Sequence, residues 1–498
     1  MRVRQGIPAH VADPSEHRED EADAHALGRL GYAQELLRRM GGFSSFAVSF
    51  SIISVLTGCI TAYSDAIGPG GPAAIGIGWP VVSLGTMCVA LAMAELASAF
   101  PTAGALYHWS SILGNAATGW MTAAMNIVGQ IAVVAAIDFG CASELAATLG
   151  LSSSAAFWFL AIILASQALI NAWSVRLVAW LNDFSATVHV LGVLVLVVVL
   201  LAYGKSQPVR FLFDTGMTTR ADGNTTLGFM NGLVLSMFTF TGYDASAHLA
   251  EETHDPARRT PWGILMSVLV SAVAGYLLLV AITLAVKDLS VAGKSHAALV
   301  IMQNALGSGF GRLGMGLALV AMWFCGLSSV TSASRTLYAF SRDRGLPFHR
   351  AICKVGAKTK TPTVAIAVAT TAPFLLVLST APFAEGAVFD AMAKMATMGL
   401  YVSYVAPVLL GALARHRGRW RTFGPFHLGG LGVVIAWLAT AWGGFVLVVC
   451  GLPPNLLPAK MLGATLVVLL LLYVLVIRKH FEGPRVDLAS LERERSIY

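Results

Sequence analysis

The chain has 498 residues, of which 56% are hydrophobic and only 12% charged, with a formal net charge of +7. A soluble domain carries about 25% charged residues, so this composition excludes a soluble enzyme and a disordered chain and points to a polytopic membrane protein. The positive excess is no nucleic-acid signal, because no basic stripe or groove-reading motif accompanies it.

In chain order, residues 1 to about 25 are acidic and proline-interrupted and read as a disordered tail. The N-terminus does not read as a signal peptide, since its first apolar run follows about 40 polar residues. Residues 32–40 look like a short amphipathic segment at the cytoplasmic surface. Apolar runs of membrane-spanning length follow at 43–67, 74–100, 118–149, 155–172, 177–203, 227–250, 262–286, 313–340, 363–378, 388–414, 428–452 and 461–477, which predicts twelve transmembrane helices and an all-α fold. The six cysteines, Cys59, Cys88, Cys141, Cys325, Cys353 and Cys450, mostly sit singly within apolar runs. That pattern predicts buried free thiols rather than a metal site or a disulfide framework.

Loop charges give an orientation. Arg342, Arg344, Arg350, Lys354, Lys358 and Lys360 follow span eight; Arg415, Arg417, Arg419 and Arg421 follow span ten; Arg258 and Arg259 follow span six. All fall on one side, together with Arg38, Arg39, Arg478 and Lys479, while the opposite loops are poorer, with Lys205, Arg210, Arg220, Lys287, Lys294 and Lys460. The positive-inside rule then puts both termini in the cytoplasm.

Spans one and six share an oddity. The first contains Ser54-Val-Leu-Thr57-Gly58-Cys and the sixth Phe238-Thr239-Phe240-Thr241-Gly242-Tyr243-Asp244. Each puts glycine beside threonine in mid-membrane, where a helix can break. Interrupted spans at matching places in two halves point to a transporter with inverted repeats; helix packing through small residues is the alternative.

Four stretches carry a family resemblance: Phe50-Ser-Ile-Ile-Ser54-Val-Leu-Thr57-Gly58; Ala94-Glu95-Leu-Ala-Ser-Ala-Phe100-Pro101-Thr-Ala-Gly104-Ala-Leu-Tyr107-His-Trp109; Gly242-Tyr-Asp244-Ala-Ser-Ala-His248-Leu-Ala-Glu251-Glu252-Thr; and Ser341-Arg-Asp343-Arg-Gly345-Leu-Pro347. With them the chain resembles the amino acid–polyamine–organocation superfamily, and within it the amino acid/choline branch that includes 4-aminobutyrate permeases. The resemblance implies a five-plus-five inverted repeat with helices 1 and 6 broken. The corresponding organisation is a tail at 1–40, repeats at 41–203 and 204–414, two added helices within 415–477 and a second tail at 478–498. It also implies a site in which a substrate carboxylate meets the amides near Leu56, Thr57 and Gly58 while an ammonium meets carbonyls near Ser54, Phe238 and Thr241. Phe238 and Phe240 are candidate lids, and Gln130 matches a pocket-lining position, with Asn126 one turn away on the same face.

By the same resemblance His189 falls where many sodium-independent members carry a lysine, between spans one, five and eight. As a reversible cation it could stand in for bound sodium; a plain hydrogen bond to a helix carbonyl is the alternative. Ser328, Ser329, Thr331 and Ser332 of span eight would be its neighbours and could instead ligate sodium. Asp244 either gates, relays protons or caps the second half-helix. Glu95 and the pair Glu251 and Glu252, beside Arg258 and Arg259, read as gate pairs or caps; Asp138 and Glu144 read as solvated at the outer end of span three.

The expected function is a secondary transporter of a small amino acid or related zwitterion such as 4-aminobutyrate, coupled to a proton or sodium. The alternatives are a choline- or ethanolamine-type amine transporter and an amino acid exchanger. No organic cofactor is implied, no metal or nucleophile motif suggests an enzyme, and no filter or charged ring suggests a channel. The compact basic loops and short tails resemble a bacterial cytoplasmic-membrane protein, and the sequence is silent on oligomeric state.

Overall fold

The computed structural model describes residues 23–215, 223–292, 294, 296–357, 359–383, 388–453, 456–484, 488 and 491. All but the last three residues of the expected disordered tail lie outside these, as do Arg220 and Lys358. Among the described residues the fold is helical, with one isolated bridge between Met40 and Thr253.

The helices are α1 (Gly42–Ile53), α2 (Val55–Thr61), α3 (Tyr63–Gly70), α4 (Trp79–Ala99), α5 (Leu106–Leu113), α6 (Ala116–Thr148), α7 (Ala155–Trp173), α8 (Val175–Val199), α9 (Thr225–Thr239), α10 (Ala245–His248), α11 (Pro256–Leu284), α12 (Ala297–Leu306), α13 (Ser308–Arg342), α14 (Thr363–Thr380), α15 (Val388–His416), α16 (Leu431–Cys450) and α17 (Leu457–Leu475). Eleven segments among the described residues are long and apolar enough to span a membrane, counting α1 and α2 as one. The expected sixth span is the exception. Its first half, α9, has only 15 residues, about 22 Å of helix against a hydrocarbon core of about 30 Å. The chain then turns through Phe240–Asp244 before the four residues of α10.

The first span breaks too, but at Ser54 rather than at Gly58. Ser54 is left-handed (φ 36°, ψ 75°), and its N–H closes α1 on Phe50 O at 3.0 Å. Gly58 lies inside α2, donating its N–H to Ser54 O at 3.0 Å. Its lack of a side chain serves packing instead: a Cβ there would stand 2.2 Å from Thr239 Oγ1 on α9. Gly242 does sit in the second break, with φ +95°.

The α1–α2 pair and α6 are the most buried spans, followed by α13 and α15, whereas only 11% of the α17 segment is buried. Helices in lipid gain little from apolar burial against one another, so close contacts fall at small residues. Gly399 of α15 meets Gly129 of α6 in this way, a Cβ on Gly399 falling 3.0 Å from Gly129 Cα.

Asp138 and Glu144 of α6 are buried rather than solvated. Glu144 receives the connection between α11 and α13, where His296 Nδ1 lies 2.7 Å from its carboxylate. That hydrogen bond holds His296 above its ordinary value, against the smaller opposing effect of burial. A histidine favoured as the cation in the folded state contributes stability that is complete below its unfolded value and lost as pH rises through the folded one. The thermal unfolding temperature of purified protein should therefore decline modestly as pH rises above about 6.5, and His296→Gln should flatten that slope.

Candidate functional site

The two breaks lie against each other. A Cβ on Gly242 would stand 2.1 Å from Ile52 Cγ2. Ser49 of α1 donates to Tyr243 O at 3.0 Å, accepts from Ser246 N–H at 2.9 Å and shares a 2.7 Å bond with Ser246 Oγ. Within a bilayer a backbone group released by a break must find such a partner.

Each break is also tied to the surrounding helices. At the first, Ser54 Oγ lies 2.5 Å from Thr57 Oγ1 and 2.8 Å from His189 Nε2 of α8. His189 Nδ1 is 2.8 Å from Ser185 O, an acceptor, so the ring carries its proton on Nδ1 and takes the Ser54 hydroxyl at Nε2. Cys325 Sγ of α13 caps Ile52 O at 3.0 Å. The first-turn amides of residues 55–57 have no acceptor within α2.

At the second break, Gly242 N–H donates to Tyr404 Oη of α15 at 3.1 Å, and that hydroxyl donates to Asp244 Oδ1 at 2.7 Å. Asp244 Oδ2 lies 3.2 Å from Asn126 Nδ2 of α6 and 3.1 Å from His248 Nε2. The carboxylate thus does not cap α10. The other nitrogen of His248 faces Ala103 O at 3.3 Å.

Gln130 and Asn126 do share a face: Gln130 Nε2 donates to Asn126 Oδ1 at 2.7 Å and to Thr336 Oγ1 at 3.1 Å. Gln130 Oε1 is buried and has no partner. Ile52, Gln130, Val133, Gly242, Asp244, Ser329, Ser332 and Leu400 enclose a cavity of about 10 Å³, hardly more than one water position.

A wider vestibule of about 280 Å³ opens on the face opposite the basic loops, lined by Asp65, Asn231, Phe238, Phe389, Asp390 and Lys394 among others. Phe238 meets Phe389 edge-on at 5.9 Å. Phe240 instead is buried against Trp79 of α4, 4.8 Å between ring centres. Of the two lid candidates, Phe238 alone lines this vestibule. Leu56, Thr57 and Thr241 are buried beside the breaks, and Thr241 turns its hydroxyl back to Phe238 O at 2.7 Å. Ser328 and Ser329 bond to carbonyls of their own helix, and Ser328 also bonds Asn182 Oδ1 at 2.5 Å; His189 bonds Ser54 and Ser185.

The basic face is shut. Glu251 pairs with Arg342 at 2.9 Å and Glu252 with Arg335 at 2.7 Å, rather than with Arg258 and Arg259. Glu95 pairs with Arg415 and accepts the N–H of Leu428 at 2.9 Å. The segment at 32–40, read as amphipathic at the cytoplasmic surface, is a non-helical strap. Tyr32 Oη sits 2.8 Å from Asp343 and 2.9 Å from His108, with Arg342 over its ring at 4.2 Å, and the N–H groups of Arg39 and Met40 both reach Glu252 O at 2.9 Å. Burial opposes the charge of Asp343, but His108, Arg342 and Tyr32 together hold its carboxyl below the ordinary range. Sequence reasoning missed Tyr404, His248 and this strap. The His248-Asp244 spacing of one helical turn was the available signal for one of them.

A buried crossing of two broken helices, closed on one face and open on the other, defines an integral membrane transporter of the five-plus-five type. A crystallised manganese transporter of Eremococcus coleocola shares that fold, with a TM-score of 0.53 over 88% of this chain and 95% of its own, at 14% identity. The amino acid permease family model matches residues 40–476, and the chain belongs to that family. It is 36% identical to amino-acid permease BAT1 of Arabidopsis thaliana, over 93% of this chain and 96% of the relative. It is 26% identical to a GABA-specific permease of Saccharomyces cerevisiae, over 94% and 86%.

Two substitutions test the site's architecture. Gly58→Val should drive a side chain into Thr239, an overpacking cost of about 1–3 kcal/mol, and abolish uptake while membrane insertion persists; normal uptake would refute the close crossing. Tyr404→Phe should leave Gly242 N–H and Asp244 each short of a partner, lowering stability by about 1–3 kcal/mol as read by thermal unfolding in detergent.

Proposed function

We infer that the protein is a secondary active transporter for a small amino acid or related zwitterion such as 4-aminobutyrate, working by alternating access with a proton as the coupling ion. The observation that carries this reading is the pairing of both helix breaks around one buried polar cavity. A substrate carboxylate would take the amides of Leu56 and Thr57, favoured by the helix dipole, whereas the expected third donor, Gly58 N–H, is already given to Ser54 O. The ammonium would take carbonyls near Ser54, Phe238 and Thr241. Gln130 Oε1, lacking a partner, suits a donor on the ligand, and Phe238 suits a lid. The name of the yeast relative supports 4-aminobutyrate as a first candidate.

In the same reading, with repeats at 41–203 and 204–414, one bundle rocks about the fixed mid-membrane site while the two termini stay in the cytoplasm, in a cytoplasmic membrane of bacterial type. The shut basic face and the vestibule opposite fit one end of that cycle. Coupling falls to His189, which touches the first break through Ser54, and to Asp244 with His248 at the second.

The test is uptake into proteoliposomes of 4-aminobutyrate, several α-amino acids, choline and ethanolamine, under imposed pH or sodium gradients. Saturable pH-driven uptake of a zwitterion is the expected result, and His189→Ala should abolish its pH dependence or most of its rate. Uptake restricted to choline or ethanolamine would overturn the anion site. Sodium drive would move coupling to Ser328 and Ser329, and uptake only against internal substrate would make the protein an exchanger.

A further inference from the structure

Away from the breaks, α6, α7 and α13 meet at an acidic group that the transport reading does not use. Asp138 of α6 is wholly buried. Its Oδ1 accepts a 2.8 Å hydrogen bond from Gln167 Nε2 of α7, which also reaches Trp323 O at 3.3 Å. Asp138 Oδ2 and Gln167 Oε1 are both buried and both without a partner. On the α13 side the group abuts Gly326. A Cβ there would stand 2.0 Å from Asp138 Oδ1 and 2.3 Å from Gln167 Nε2, so glycine makes the room that the pair occupies.

No ion pair among the described residues includes Asp138. The ionisable groups near it are the thiols of Cys141 and Cys325 and, further along α6, Glu144. α7 and α14 carry no ionisable side chain. On α13, Arg312 and Arg335 lie about 21 Å and about 13 Å of helix away from Gly326, and Arg335 is committed to Glu252. On α15, Asp390 and Lys394 pair with each other at 3.1 Å beside the vestibule.

A carboxylate sealed among membrane helices, with one neutral donor and no cation, would bear a desolvation penalty of several kcal/mol. Two acceptor oxygens left over on two side chains that already share one hydrogen bond are satisfied together by a single proton. We propose that Asp138 and Gln167 form a proton-binding site: Asp138 carries the proton on Oδ2 and donates it to Gln167 Oε1, completing a carboxylic acid–amide pair that joins α6 to α7 beneath Gly326. Ionising Asp138 requires water to reach it. Loss of the proton is thereby tied to parting of α6, α7 and α13, and the occupied site clamps those three helices together.

Infrared difference spectroscopy of the full-length protein in lipid bilayers, with ¹H/²H exchange, reads the protonated carboxyl directly and does not depend on transport or on substrate. The parent protein should show, at neutral pH, a carboxylic acid C=O band that is lost in Asp138→Asn. In Gln167→Leu the band should remain but move to higher frequency, because its C=O no longer accepts a hydrogen bond. Spectra of Asp138→Asn that superimpose on the parent in the carboxylic acid region, or carboxylate bands of Asp138 that respond to added sodium, would overturn the proposal. Should Asp138→Asn fail to assemble, Gln167→Leu decides alone, an unshifted band counting against the pair.

Discussion

A polypeptide crossing a bilayer has no water to complete its backbone hydrogen bonds, and every feature of this molecule's centre follows from that constraint. Breaking a helix there releases N–H and C=O groups that need partners. Both breaks in this chain get them from side chains of neighbouring helices. Ser54 is held in a left-handed conformation, a strain of about 1–3 kcal/mol, with its hydroxyl against Thr57 and His189. Gly242 hands its N–H to Tyr404, which passes the interaction on to Asp244, and Asn126 and His248 complete the ring. The polar groups that make the centre chemically interesting are the same ones that make it structurally possible.

That economy explains which parts of the site were legible in the sequence. Apolar run length revealed the spans, because lipid demands about 20 apolar residues per crossing. The unusual Gly-Thr content of two of them revealed where the helices give way. Local propensity then misled at Ser54: glycine is the usual left-handed residue, yet Gly58 is spent on the close approach of Thr239, while a serine whose hydroxyl meets Thr57 and His189 takes the strained angle. Ion-pair partners were illegible for a different reason. Glu251 and Glu252 neighbour Arg258 and Arg259 in sequence, but α13 brings Arg342 and Arg335 to them across the fold. The burial of Asp138 depends on three helices meeting, and nothing in its own segment announces it. The role of Tyr404 was illegible because a tyrosine's ring is visible in a hydrophobic pattern and the direction of its hydroxyl is not.

The two faces of the protein are built from different materials. The basic face is closed by buried ion pairs, hydrogen bonds and a strap, in which each charge is matched by another. The opposite face opens into the vestibule, where Phe238 packs edge-on against Phe389 beside the Asp390–Lys394 pair. Charge networks are costly to open partially, since breaking one partner strands the other. Aromatic contacts give way in smaller steps of about 0.5–1.5 kcal/mol.

The strap also constrains how the molecule is made. Tyr32 reaches Asp343 across 311 residues, and Glu35 reaches Tyr338 across 303. At ribosomal speeds of about 5–20 residues per second, the strap emerges roughly 15–60 seconds before the end of α13 exists to receive it. During that interval its apolar residues, Leu27, Leu30, Tyr32 and Leu36, have no native surface to cover. The strap therefore cannot seat before α13 is made, and a nascent chain passes through a period in which this part of its eventual seal is without its native partners.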